Sequence, residues 1–163
     1  EMLRSLVGSE MCIRDSKLAI EAIKSFNKPY LIGAHVSEGV KLPSGENISE
    51  IITTINHKSL LGIILSCVSP ENYEKNLNEI KSLDVPFGFK LNGFITTKPI
   101  AGYTNTFNKS KTGNPNEFLG HREDLVPEKM AFFVKKFKEA GATILGGCCE
   151  TRPAHIKEMA KLK

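Results

Sequence analysis

The apolar and polar positions of the chain follow two kinds of pattern. Some segments have the spacing of amphipathic helices, and others are the short apolar runs typical of buried strands. A helical pattern comes first, and four units of a strand followed by a helix come after it. The predicted helices are 17–26, 48–58, 69–83, 127–141 and 152–163, and the predicted strands are 28–36, 60–68, 85–94 and 142–147. This order favours a parallel α/β sheet with right-handed crossovers.

Several helix boundaries carry their own signals. Ser69 is a good N-cap residue and Pro70 suits the first helical position. Gly141 is expected to end the fourth helix, and Thr151 is expected to cap the fifth. The strand at 60–68 is apolar at nearly every position and rich in branched residues, so we expect both of its faces to be buried.

Two architectures fit this order of elements, a doubly wound sheet and a (β/α)8 barrel. Four strand–helix units make half of a (β/α)8 barrel, and a complete barrel typically needs about 250 residues. Half a barrel would leave two sheet edges unpaired. On the barrel interpretation we therefore expect this chain to be a fragment or to pair with another copy.

One connection, residues 93–125, is much longer than the others. It is polar and rich in Gly, Asn, Thr and Lys, whereas most strand–helix connections have about two to six residues. Because it follows a strand, we place it at the carboxyl end of the sheet, where barrel enzymes keep their active sites. We favour a loop on the substrate side over plain disorder.

Composition indicates one ordinary globular domain. Of the 163 residues, 40% are hydrophobic and 25% are charged, and the net charge of +4 comes from lysines scattered beside glutamates. This pattern argues against a nucleic-acid partner. No apolar run reaches the length of a membrane span and nothing resembles a signal peptide, so we expect no membrane partner and a cytoplasmic protein. Residues 1–16 fit no clean pattern and resemble a non-native leader, which leaves 17–163 as the domain.

Three cysteines outside that leader lie at strand ends. Cys67 ends the second predicted strand, while Cys148 and Cys149 end the fourth, so all three thiols should meet at one edge of a parallel sheet. Adjacent cysteines are poor disulfide partners because the ring that they would close is strained. Three thiolates with a fourth position open are typical of catalytic zinc. The alternative for Cys67 is a small buried apolar residue.

Gly146 and Gly147 precede the paired cysteines. Without a Cβ atom, their backbone can approach an ion or its ligand closely, so they are candidates for substrate contact. A glycine-rich turn after the last strand of a barrel also commonly holds phosphate at a helix N-terminus. A phosphate-binding barrel enzyme and a non-enzymatic metal or dithiol module therefore stay open as alternatives.

These residues carry a resemblance to a known family. The stretch "GGCCETRPAHI" (146–156) is similar to the signature of the homocysteine S-methyltransferase family, GGCC-x-T-x-P-x-H-I. "GIILSCVSP" (62–70) resembles its Gly-x-Asn-Cys-x-x-Pro segment, with Ser66 in place of Asn. "SEGVKLPSGENI" (37–48) resembles the family's Gly-x-x-Leu-x-x-Gly stretch after strand five. In addition, "KLNGF" stands where strand seven commonly ends in Pro-Asn-x-Gly.

The resemblance implies a zinc-dependent (β/α)8 barrel, of which the chain supplies the C-terminal half, strands five to eight. It implies that Cys67, Cys148 and Cys149 are the zinc ligands, with no further catalytic residue. The activity implied is methyl transfer to homocysteine, which forms methionine, from S-methylmethionine, S-adenosylmethionine, betaine or methylfolate through cobalamin. The first half of the barrel, with the acidic residues that hold the amino group of homocysteine, would be missing. We therefore expect this chain to be inactive alone.

Overall fold

The computed structural model describes residues 9–10, 13–24, 28–36, 38–55, 58–97 and 117–162. These residues form a five-stranded parallel sheet and five α-helices with one short 3-10 helix. The elements are β1 (Ser9–Glu10), α1 (Ile13–Lys24), β2 (Tyr30–Ala34), α2 (Ser49–Ile55), β3 (Leu60–Val68), α3 (Pro70–Lys81), β4 (Phe87–Leu91), the 3-10 helix Glu117–Leu119, α4 (Pro127–Glu139), β5 (Ile144–Gly147) and α5 (Pro153–Ala160). No helix among them is long and apolar enough to cross a membrane.

The strands lie side by side in the order in which they occur along the chain, and every neighbouring pair is parallel. The strands β2 to β5 are the four that the sequence predicts. A doubly wound sheet reverses its strand order at a switch point, and the described strands contain no such reversal. The arrangement is compatible with part of a barrel wall.

The beginning of the chain differs from the prediction. Helix α1 starts at Ile13, within the segment 1–16, and β1 pairs in parallel with the end of β2. A two-residue strand gives no periodic pattern, so sequence reasoning had no signal for it. That residues 1–16 are a non-native leader stays a prediction.

An aromatic cluster fixes α3 and α4 against the sheet. Tyr73 of α3, Phe89 of β4 and Phe137 of α4 are all fully buried. Their ring centroids are 4.7–5.6 Å apart in tilted and edge-to-face arrangements, which add about 0.5–1.5 kcal/mol per pair beyond the burial of area. The cluster therefore packs α3 and α4 against β4, the strand that lies between the two strands leading to the thiols.

A glycine sets the spacing of the last two strands. Gly88 of β4 pairs with Ile144 of β5, and a Cβ atom on Gly88 would lie 1.8 Å from the carbonyl oxygen of Ile144. No side chain fits in that space. The position of β5, which leads into the paired cysteines, thus depends on the absence of a side chain at residue 88.

The predicted N-cap residue is confirmed for α3 and wrong for α5. Ser69 caps α3, and its hydroxyl oxygen accepts a hydrogen bond from the backbone N–H of Asn72 at 3.2 Å. Helix α5 is instead preceded by Arg152 as its N-cap residue. The hydroxyl of Thr151 donates to the carbonyl oxygen of Cys148 at 2.5 Å. The Thr151 side chain therefore stabilises the turn that carries the thiols and not the helix.

Candidate metal centre

Three thiols meet at the carboxyl end of the sheet. The sulfur of Cys149 lies 4.0 Å from that of Cys67 and 3.9 Å from that of Cys148. All three sulfur atoms are within 4.8 Å of one another, and each residue is partly buried. Residues about eighty positions apart in the sequence thus meet because β3 and β5 end at the same edge, with β4 between them.

An irregularity in β3 directs the first thiol. The register between β3 and β4 shifts between Ser66 and Val68, so Cys67 is the extra residue of a bulge. Its φ of 54° lies in the left-handed region that residues other than glycine rarely adopt. The bulge turns the Cys67 side chain away from the regular alternation of the strand and towards the other two sulfur atoms.

A tight turn after β5 presents the other two thiols. The backbone N–H of Cys148 donates to the carbonyl oxygen of Leu91 at 2.7 Å, and the carbonyl oxygen of Cys149 accepts from the N–H of Gly93 at 3.0 Å. Glu150 follows with a φ of 62°, in the left-handed region. Both cysteines are therefore anchored by backbone hydrogen bonds to the end of β4.

Gly146 and Gly147 lie in the last two positions of β5, both partly exposed. A Cβ atom on Gly147 would meet the Thr151 hydroxyl oxygen at 2.4 Å. Packing against Thr151 thus requires a glycine at 147, whether or not a ligand approaches it. At Gly146 a Cβ atom would meet its nearest neighbour at 3.4 Å, which is ordinary contact.

The thiol geometry fits a tetrahedral metal ion. With Zn–S bonds of about 2.3 Å, two sulfur ligands in a tetrahedron are about 3.8 Å apart. The shorter two separations here are 3.9 and 4.0 Å. An ion such as zinc would thus need only small movements of Cys67, Cys148 and Cys149 to be bound. Three ligands would leave one tetrahedral position open.

The thiols do not share one ordinary pKa. Interaction with the Cys67 thiol lowers the pKa of Cys148 to about 5, and the charge of Lys90 acts in the same direction. Interaction with Cys148 and burial raise the pKa of Cys67. Burial and the charge of Cys148 raise the pKa of Cys149. The cluster therefore accommodates one thiolate readily, whereas three thiolates would repel one another unless a cation lay beside them.

The side-chain amide of Asn92 contacts the three-thiol cluster. The sequence did not single out this residue as part of the site. Asn92 is fully buried, and its side-chain nitrogen lies 3.7 Å from the sulfur of Cys67. On the other side, the Nδ1 atom of His35 is 3.1 Å from the carbonyl oxygen of Ser66, the residue before Cys67. The sequence signal for Asn92 was the stretch "KLNGF", which stands where strand seven of the family commonly ends in Pro-Asn-x-Gly.

The two described ends of the long connection, 93–97 and 117–125, lie beside this turn. Phe94 and His121 form an antiparallel bridge, so the chain leaves β4 and returns side by side. His121 contacts the carboxylate of Glu150 at 3.1 Å, directly after the paired cysteines. The connection thus begins and ends at the candidate site, while residues 98–116 fall outside the described part of the chain.

His155 has a structural contact in α5. Its Nδ1 atom accepts a hydrogen bond from the backbone N–H of Arg152 at 3.0 Å, and its Nε2 atom is 2.9 Å from the carbonyl oxygen of Leu125. The ring therefore caps α5 and ties it to the returning end of the long connection. This buried side chain supports the turn that presents the thiols.

The fold and site define a parallel α/β protein with three thiols at the carboxyl end of its sheet that could hold a metal ion. Comparison with known proteins agrees with this class: the sequence model described as homocysteine S-methyltransferase matches residues 8–162. The chain belongs to the homocysteine S-methyltransferase family. The match includes part of the segment 1–16, so it begins earlier than the resemblance at Lys17 predicts.

Curated relatives cover most of this chain with modest identity. The chain is 30% identical over 140 residues to homocysteine S-methyltransferase 1 of Saccharomyces cerevisiae, which covers 82% of the chain and 39% of the yeast protein. It is 27% identical over 130 residues to homocysteine S-methyltransferase 1 of Zea mays, and this alignment covers 77% of the chain and 35% of the Zea mays protein. It is 29% identical over 129 residues to selenocysteine Se-methyltransferase of Brassica oleracea var. italica, and this alignment covers 76% of the chain and 32% of the Brassica protein. The chain therefore spans between 32% and 39% of the length of these relatives.

Proposed function

We propose that this chain is the zinc-binding C-terminal half of a (β/α)8-barrel enzyme that transfers a methyl group to the thiol of homocysteine. Cys67, Cys148 and Cys149 are the proposed zinc ligands. The observation that carries the proposal is the meeting of three sulfur atoms within 4.8 Å at the carboxyl edge of a parallel sheet. Family membership supports the acceptor, and the strand order supports the barrel.

A zinc ion held by three thiolates supplies a fourth position at which a substrate thiol loses its proton and stays nucleophilic near neutral pH. Residues from two elements of the chain would hold such an ion. The bulge at Cys67 directs one ligand from β3, and the turn at Cys148 and Cys149 directs two from β5. In the proposal, the backbone of Gly146 and Gly147 borders the incoming thiol.

The reaction forms a carbon–sulfur bond to the acceptor and breaks the bond between the methyl group and its donor. The electron pair of the broken bond leaves with the donor, so an activated donor is required: S-methylmethionine, S-adenosylmethionine, betaine or methylfolate through cobalamin. Relatives named for homocysteine and for selenocysteine support an acceptor with a sulfur or selenium nucleophile. Methionine is the proposed product. Because free thiols persist in reducing compartments, we propose a cytoplasmic location.

The test uses a version of the protein that carries four further βα units upstream. Cys149→Ala in that version should abolish both zinc binding and methyl transfer from S-methylmethionine to homocysteine, because the ion would lose one of its three ligands. Cys12→Ala, which changes a thiol outside the described residues, is the matched control and should retain both. Retention of zinc or of methyl transfer in Cys149→Ala would reject the proposal.

Two other outcomes would point to the alternatives. Phosphate binding that survives replacement of all three cysteines would favour a phosphate-binding barrel using Gly146 and Gly147. Metal binding that does not respond to added homocysteine would favour a non-enzymatic metal or dithiol module. A titration of the metal-loaded protein with homocysteine distinguishes these cases, since the proposal requires the amino-acid thiol to alter the metal environment.

A further inference from the structure

We infer that Lys90, with Ser66 beside it, binds the carboxylate of the acceptor, an amino acid whose thiol binds the metal ion. This inference rests on the proposed function, because it names residues that would hold the same acceptor. Lys90 lies in β4 and is paired with Ser66 of β3 and with Gly146 of β5. These three residues form one row across the sheet, which we call the lysine layer.

The lysine layer lies on the face of the sheet that the helices do not cover. Leu65 and Phe89 belong to the hydrophobic core cluster, and the ring of Phe89 packs against aromatic rings of α3 and α4. Successive side chains of a strand point to opposite faces. Ser66 and Lys90, the next residues along their strands, therefore point away from these helices. On the barrel interpretation, this face lines the interior of the barrel.

The Lys90 side chain lies close to the thiols. A Cβ atom on Gly146 would be 3.5 Å from the Cγ atom of Lys90, so the stem of the lysine lies against the place that a side chain at 146 would take. Cys148 follows two residues later, which is about 7 Å along a strand. The charge of Lys90 reaches that thiol, because it adds to the effect of the Cys67 thiol in lowering the pKa of Cys148.

The lysine layer offers two hydrogen-bond donors that the rest of the described chain does not use. None of the ion pairs among the described residues includes Lys90. The hydroxyl of Ser66 is buried and has no hydrogen-bond partner in the same part of the chain. An ammonium group and a hydroxyl group side by side favour an anion with oxygen atoms, because each donates a hydrogen bond to it.

The proposed acceptor carries such an anion at a suitable distance from its sulfur. Three carbon atoms separate the sulfur of homocysteine from its carboxylate group, and Lys90 has a flexible four-carbon stem. With the sulfur in the fourth position of the metal ion, the carboxylate can therefore meet the ammonium group of the neighbouring layer. Gly146 leaves that space free, because it has no side chain.

The test measures how two thiols bind to the full chain loaded with cobalt(II). Homocysteamine is homocysteine without its carboxylate, and each thiol is titrated while the sulfur-to-cobalt absorption is followed. Lys90→Met keeps an apolar stem but removes the charge. It should reduce the preference for homocysteine over homocysteamine by about fivefold, the upper value for an ion pair that water can reach. Ser66→Ala should reduce the preference less, because a neutral hydroxyl forms a weaker bond to a carboxylate than an ammonium group does.

Two control variants separate the contact from a general effect of charge. Lys135→Met is the matched control, because Lys135 lies in α4, on the helix-covered side of the sheet, and pairs with Glu139. This variant should keep the wild-type preference for homocysteine. Lys90→Arg retains a positive charge at the site and should keep most of the preference.

The outcomes distinguish the inference from the proposed function. An unchanged preference in Lys90→Met would overturn the inference. An equal loss of affinity for both thiols would overturn it too, because Lys90 would then act on the charge of the metal centre and not on the carboxylate. If Lys90→Met does not fold, as judged by circular dichroism without metal, Lys90→Gln replaces it with the same expectation. A wild-type chain whose cobalt spectrum responds to neither thiol would instead reject the proposed function, on which the inference rests.

Discussion

The substitution Gly88→Ala tests how the sheet positions the paired cysteines. A Cβ atom at this position would lie 1.8 Å from the carbonyl oxygen of Ile144, and real Cβ atoms essentially never approach closer than 3.0 Å. The two strands must therefore separate by at least 1.2 Å at this point. Because Ile144 begins β5, the movement is carried towards Cys148 and Cys149 at its end.

The cost follows from the hydrogen bonds beside the contact. The N–H of Thr143 donates to the carbonyl oxygen of Phe87 at 2.9 Å, and this bond would be lost when the strands separate. Each buried backbone group left without a partner costs about 1–3 kcal/mol. The carbonyl group of Phe87, a buried residue, would be left without its partner, which gives about 1–3 kcal/mol. Gly88→Ala should lower the free energy of unfolding by that amount and weaken zinc binding.

Urea unfolding and zinc competition measure the two effects. Gly39→Ala is the matched control, because a Cβ atom there would meet its nearest neighbour, the carbonyl oxygen of Val36, at an ordinary 3.6 Å. The control should stay within about 0.5 kcal/mol of the wild type. If Gly88→Ala were as stable as Gly39→Ala and bound zinc equally well, the spacing of β4 and β5 would not control the site.

Two further predictions concern stability. Tyr73→Phe should leave the free energy of unfolding unchanged or raise it by about 1 kcal/mol, because the buried hydroxyl of Tyr73 has no hydrogen-bond partner among the described residues. If thermal unfolding showed that Tyr73→Phe loses more than about 1 kcal/mol of unfolding free energy, the Tyr73 hydroxyl would have a hydrogen-bond partner and the reasoning would be wrong. Arg122 lowers the pKa of Glu71 through a hydrogen bond, so their interaction stabilises the fold above the ordinary carboxylate pKa of about 4.3 and is lost as the pH falls through the lower folded value. The stability difference between the wild type and Arg122→Leu, followed by urea unfolding, should therefore be constant above about pH 5 and shrink below about pH 4; a difference that grows in acid would contradict this.

The main elements could be predicted from the sequence because each has a strong local pattern. Strand β3 is an apolar run, and α3 begins with a serine cap and a proline. The convergence of Cys67 with Cys148 and Cys149 follows from one topological rule, that parallel strands end at a common edge. The resemblance of "GGCCETRPAHI" identified the family independently of that rule, and the family comparison confirmed it.

The finer features of the site depend on tertiary contacts that leave no local pattern. The register between β3 and β4 shifts at Cys67 and forms a bulge there. No local pattern in the sequence marks that shift. The contact of Asn92 with a thiol follows from the same shift. Thr151 has the side chain of a helix cap, but its hydroxyl bonds to the carbonyl oxygen of Cys148, since the turn after β5 brings that oxygen within reach.

The most direct test of the account is a measurement of how much zinc the chain binds, and how tightly, after purification and chelator competition. The account predicts one zinc ion per chain in the wild type and in Cys12→Ser. It predicts a large loss of affinity in Cys67→Ser, since one ligand of three would be weakened. A chain that binds no zinc, or one whose zinc affinity is unchanged in Cys67→Ser, would contradict the claim that these three sulfur atoms form a metal site.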